Sequence, residues 1–151
     1  MEAFVRSEIT KGVGTITFFH PQSNSMPGTQ LRNLTAEVEK LGKDDSVKVI
    51  VLKSEGEKAF CAGASFDELI SIKDLETGLK FFSGFASVIN AMRKAPKFVI
   101  ARVQGKAVGG GVGIASAADY TFAVEGASVK LSELAVGIGP FVVRSEERRV
   151  G

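Results

Sequence analysis

Two hydrophobic rhythms run along the chain and divide it into strands and helices. Phe4 to Ile9 and Val13 to Phe19 are dense in apolar and β-branched residues and are separated by Thr10-Lys11-Gly12. This pattern predicts two strands joined as a hairpin. His20-Pro21-Gln22-Ser23-Asn24-Ser25 is polar and reads as a loop, ending near Pro27, which suits a first helical turn. From Thr29 to Leu41 the rhythm changes, with Leu31, Leu34, Val38 and Leu41 at helical spacing. Val47 to Leu52 is a short apolar run after a charged loop and predicts a buried strand.

Beyond a polar turn at Ser54 to Lys58, Ala59-Phe60-Cys61-Ala62-Gly63-Ala64 is a small-residue segment of little side-chain volume. Leu75 to Met92 predicts a long helix with Leu79, Phe82, Phe85, Val88, Ile89 and Met92 on its apolar face, ended by Ala95-Pro96. Phe98 to Val103 is the next strand. After the turn Gln104-Gly105-Lys106, the run Gly109-Gly110-Gly111 opens a helix through about Ala117. Tyr120 to Val124 and Val129 to Leu131 read as further strands. Strands followed by helices recur without a repeat of fixed period, which describes one α/β domain.

Composition adds mainly exclusions. A chain of 151 residues, 44% hydrophobic and 24% charged, fits one globular domain with a real core. Its formal net charge of +2 is too small for a nucleic-acid footprint. A single cysteine, Cys61, excludes an internal disulfide framework and fits a reducing compartment. Neither a signal-peptide h-region nor a membrane-spanning apolar run is present, so the expectation is a cytoplasmic protein without membrane partners. One His and one Cys give no metal site.

The candidate chemistry begins at the glycine run. It is not a P-loop, because Gly105-Lys106 is followed by Ala107 and lacks the upstream glycine. Nor is it a dinucleotide fingerprint, since Ile114 stands where the third glycine belongs. Taken alone, the small residues fit tight helix–sheet packing as well as a site. The second small segment, Ala62-Gly63-Ala64, supplies a further set of backbone amides, and two N–H groups from separate segments are the minimum for an oxyanion hole. Glu133 follows beside the turn Gly137-Ile138-Gly139-Pro140 as a lone carboxylate, readable as a surface acid or as a base.

Taken together, Lys58-Ala59-Phe60-Cys61-Ala62-Gly63-Ala64, Val103 through Gly111, Ala118-Asp119-Tyr120 and Leu131 through Pro140 resemble, in order and spacing, the crotonase (enoyl-CoA hydratase/isomerase) superfamily. The resemblance extends from near the N-terminus to about Val143. It implies a ββα spiral core, incomplete at the C-terminus, that binds an acyl-CoA thioester. By the same resemblance the amides of Ala64 and Gly110 hold the thioester oxygen as it becomes an enolate, and Glu133 is the acid/base. Ala62, Ala64, Ser65, Phe66, Asp67 and Gly110 would line the acyl and pantetheine path, with Met26, and more loosely Asn24, near coenzyme A. Coenzyme A is then part of the substrate, and no separate cofactor is implied.

Hydratases of the family use two glutamates, and where the first belongs this chain has Gly113. One carboxylate suits proton transfer between carbons better than addition of water, which leans the expectation to double-bond isomerisation. Enoyl-CoA hydration and an inactive acyl-CoA-binding fragment are the alternatives. Asp119 reads as structural, His20 as a surface group, Cys61 as a small buried thiol, and Phe81-Phe82-Phe85 as core or acyl-pocket wall. The expected division is a core over residues 1–143 and a non-family charged tail over 144–151, a truncated end. The full-length form is expected to be a homo-oligomer, a trimer or a dimer of trimers.

Overall fold

A computed structural model describes residues 1–139 and 142 of the chain. The main sheet has five strands in the order β1 (Phe4–Thr10), β2 (Val13–Phe19), β4 (Val49–Ser54), β7 (Phe98–Val103) and β9 (Tyr120–Ala123). β1 and β2 form the antiparallel hairpin, turning at Lys11 and Gly12, both at positive φ. The remaining neighbours are parallel, as crossover helices require. Alternation marks the covered face, where Ile16, Phe18, Ile50, Leu52, Val99, Ala101 and Val103 are buried, with Thr17 of β2 buried as well. Asp119 ties the sheet at β7, its carboxylate accepting the Val99 N–H at 2.7 Å while its own N–H donates to Val99 O at 2.9 Å.

Two helices cover that face. α1 (Gly28–Lys43) buries Leu31, Leu34, Val38 and Leu41, the stripe its sequence announces. α3 (Leu75–Lys94) starts at a reciprocal Asp74–Thr77 capping box and packs on α1, where Gly84 brings the two helices together. A β-carbon at Gly84 would stand 2.7 Å from Leu31 Cδ1. Only the second half of the predicted apolar face of α3 enters the core: Phe85, Val88 and Met92 are buried, whereas Leu79 is 66% and Phe82 39% exposed. The reason is geometric, since α1 lies against the later turns and the earlier turns run out beside a cavity.

A smaller parallel sheet, in the order β10 (Val129–Lys130), β8 (Lys106–Val108) and β5 (Ala59–Cys61), packs with α4 (Gly110–Ser116) at one end of the core. Phe60 of β5 is fully buried and meets Phe18 edge to face, centroids 5.5 Å apart. The small-residue segment breaks after β5 and resumes as β6 (Gly63–Ala64), which pairs with β3 (Ser25–Met26). The loop before β3 is held by Asn24, at φ +57°, whose amide donates to Glu55 O and Ala59 O, each at 2.8 Å. A short helix, α2 (Phe66–Ile70), and a 3₁₀ turn (Glu133–Val136) complete the described elements. Pro140, Phe141, Val143 and the charged segment 144–151 lie outside the described residues.

Candidate active site

Close backbone packing builds one wall of the site. The chain leaves β8 at Gly109 (φ +52°), whose N–H donates to Lys130 O at 2.8 Å, and enters α4 at Gly110. Gly63 (φ +93°) lies against the same corner. A β-carbon there would stand 2.9 Å from Val108 O and 3.8 Å from Gly110 N. Both the positive φ and the contact exclude a side chain, so the 62–64 and 108–110 segments meet backbone to backbone. Amides at such a corner are fixed before any substrate arrives, which is what stabilising a developing oxyanion requires.

Beside this corner is a cavity of about 280 Å³. Ala62, Ala64, Ser65, Phe66 and Gly110, all predicted site residues, line it together with Glu133. Phe81, Phe82 and Phe85 of α3 form an aromatic wall, so this cluster serves as core and as cavity wall at once, with Phe85 in both. Glu133 opens the 3₁₀ turn, whose first carbonyl accepts the Ile138 N–H at 2.9 Å. Its Oε1 is 3.4 Å from where a β-carbon on Gly109 would be. Its Oε2 is buried and has no hydrogen-bond partner among the described residues. A shielded carboxylate oxygen without a donor carries a desolvation cost that a bound ligand can relieve. No other titratable side chain is among the described residues lining the cavity.

Three predicted contact residues fall elsewhere. Met26 is 1% exposed and its side chain belongs to the core, because β3 is paired to β6, Met26 opposite Ala64, and turned inward. Asp67 is exposed on α2 and does not line the cavity. Asn24 is also buried, with its side chain committed to backbone carbonyls. Gly113 is buried within α4 and is not among the lining residues.

Other candidates resolve simply. Cys61 is buried, accepts the Gly63 N–H at 3.4 Å, and burial pushes its thiol pKa up to about 12. His20 contacts Ser25 Oγ at 3.0 Å through Nδ1, and partial burial lowers its pKa. Among the lining residues missed by sequence reasoning are Leu69, Ser132, Ala135, Val136 and Ile138. For Leu69 a signal existed: Ser65-Phe66-Asp67-Glu68 has the Ser-x-x-Glu form that starts helices. No helix among the described residues is long and apolar enough to cross a membrane.

Known proteins share both sequence and architecture. The family model for enoyl-CoA hydratase/isomerase matches residues 8–151. The chain is 34% identical over 128 residues to YngF of Bacillus subtilis (strain 168), described as an enoyl-CoA hydratase/isomerase, covering 83% of this chain and 48% of that protein. It is 35% identical over 117 residues to the mitochondrial methylglutaconyl-CoA hydratase of Mus musculus, covering 78% of this chain and 37% of the relative. A crystal structure from Legionella pneumophila, described as an enoyl-CoA hydratase/isomerase (crotonase), superposes with a TM-score of 0.87 at 29% identity, over 93% of this chain and 55% of that one. The chain therefore spans about half or less of the length of these proteins. With the matching sequence and the shared crotonase fold, the chain belongs to the enoyl-CoA hydratase/isomerase family.

Proposed function

We propose that the protein shifts the double bond of an acyl-CoA thioester through an enolate, with Glu133 as the single acid/base. The observation that carries this reading is the buried Oε2 of Glu133, without a hydrogen-bond partner among the described residues, in the cavity that Ala64 and Gly110 also line. With a 3-enoyl-CoA, the carboxylate removes a proton from the α-carbon and the electron pair passes into the thioester carbonyl. The resulting dienolate oxygen is held by the Ala64 and Gly110 N–H groups. The protonated Glu133 then returns the proton to the γ-carbon, restoring the carboxylate and leaving a 2-enoyl-CoA. Each fixed amide contributes about 10²–10³ in rate in comparable sites, because its dipole needs no reorientation as charge develops. Coenzyme A is carried as part of the substrate, and the assembly we infer for the whole protein is a homo-oligomer, a trimer or a dimer of trimers.

Hydration of a 2-enoyl-CoA is the second reading, favoured by the hydratase activity in the mouse relative's name. A lone carboxylate among the described residues lining the cavity weighs against it, since orienting water and shuttling its protons is easier with two acids. The test is to offer the purified protein a 3-enoyl-CoA and a 2-enoyl-CoA separately. Isomerisation faster than hydration supports the proposal. Rapid hydration without isomerisation overturns it. Tight calorimetric binding of acyl-CoA to the 151-residue chain with no turnover of either substrate would identify a binding unit instead.

A further inference from the structure

α2 stands against the cavity with little to hold it there. It has five residues, none buried, although Phe66 and Leu69 line the cavity. A single turn of helix has no stability of its own in water. Ser65 caps it by accepting the Glu68 N–H at 3.4 Å. In the reciprocal form of that cap, the glutamate side chain would fold back onto the Ser65 N–H. Here it turns away: both Glu68 carboxylate oxygens accept the N–H of Gly28, at 3.1 and 2.9 Å. Gly28 is the first residue of α1, and Pro27 before it provides no side-chain cap. The carboxylate thus satisfies an orphan donor and meets the positive end of the α1 dipole.

We infer that Glu68 is a positioning residue, clasping α2 to the start of α1 so that Phe66 and Leu69 form one wall of the acyl-CoA cavity. This rests on the acyl-CoA reading of that cavity only for its kinetic consequence. The Ala64 backbone has its own support, since β6 pairs with β3 at Met26 and Ala64. Loss of the clasp therefore loosens the wall more than the amide corner, and substrate binding suffers more than the chemical step.

The experiment compares Glu68→Ala and Glu68→Gln with the parent protein in two measurements. In unliganded protein, hydrogen exchange of Gly28 and residues 66–70 is expected to quicken about tenfold or more in Glu68→Ala, and much less in Glu68→Gln, which keeps a carbonyl acceptor. With 3-enoyl-CoA, KM is expected to rise about tenfold in Glu68→Ala with kcat within about threefold, and Glu68→Gln to restore most of the difference. Unchanged exchange across 66–70 in Glu68→Ala overturns the clasp. Faster exchange with KM unchanged overturns the positioning role. If the parent protein turns over no acyl-CoA, the functional reading fails separately, and the exchange measurement still decides whether Glu68 holds α2.

Discussion

The Phe85 ring lies directly against Gly110: a β-carbon on Gly110 would stand 2.3 Å from Phe85 Cε1. One aromatic side chain thereby joins the core, lines the cavity and requires glycine at the residue whose amide we assign to the oxyanion. Gly110→Ala is expected to destabilise the protein by about 1–3 kcal/mol through overpacking. The obstacle is a side chain, so Phe85→Leu in the same chain should relieve part of the cost, and a double-mutant cycle read by denaturant midpoints should show the coupling. Gly111 is a useful contrast, because its β-carbon would meet the Cys61 carbonyl oxygen at 2.6 Å. Backbone cannot step aside, so Gly111→Ala should cost more than Gly110→Ala and resist repair at Phe85. Equal costs for the two would contradict this packing.

Cys61 predicts a pH effect. Its thiol pKa rises from an ordinary 9.0 to about 12 in the folded protein because burial disfavours the thiolate. The unfolded chain then loses its proton first, so folded stability from this group is fully present below pH 9 and is lost progressively as pH climbs toward about 12. Melting temperatures measured as pH climbs from 9.0 toward about 12 should fall more steeply for the parent than for Cys61→Ala. Parallel slopes would contradict the assignment. The same burial should leave the native thiol unreactive toward alkylating reagents until the protein unfolds.

Asn24 predicts a structural rather than a ligand-contact phenotype. Its left-handed backbone and two hydrogen bonds to Glu55 O and Ala59 O tie the loop before β3 to the strand entering the site. Asn24→Ala should cost about 2–4 kcal/mol, combining lost hydrogen bonds with an αL penalty, and Asn24→Gly less because glycine accepts the backbone conformation. Chemical denaturation of the two variants checks the order. Unchanged stability with weakened acyl-CoA binding would make Asn24 a contact residue after all.

Much of the fold was legible because its large core residues repeat at the period of their element. The stripe Leu31, Leu34, Val38 and Leu41 is the buried face of α1, and the alternation through β2, β4 and β7 is the covered sheet face. Periodicity says nothing about how far a neighbour extends, which is why Leu79 and Phe82 carry the core pattern yet remain exposed. Elements of two to five residues, such as β3, β6 and α2, offer too few positions for a period to show. At the site, the resemblance to the family points to Ala62, Ala64, Gly110 and Glu133, and all four line the cavity. The burial of Met26 and the reach of Glu68 to Gly28 are long-range outcomes that local sequence does not encode.

The central claim is that Glu133 removes the α-proton of a bound acyl-CoA whose enolate oxygen is held by backbone amides. The direct measurement is proton–deuteron exchange at the α-carbon of an acyl-CoA in D₂O, followed by mass spectrometry for the parent protein and Glu133→Gln, with acyl-CoA affinity measured in parallel. The account predicts ready exchange by the parent and a loss of about 10²–10⁴-fold in Glu133→Gln, with affinity nearly unchanged. Exchange by Glu133→Gln at the parent rate would contradict it.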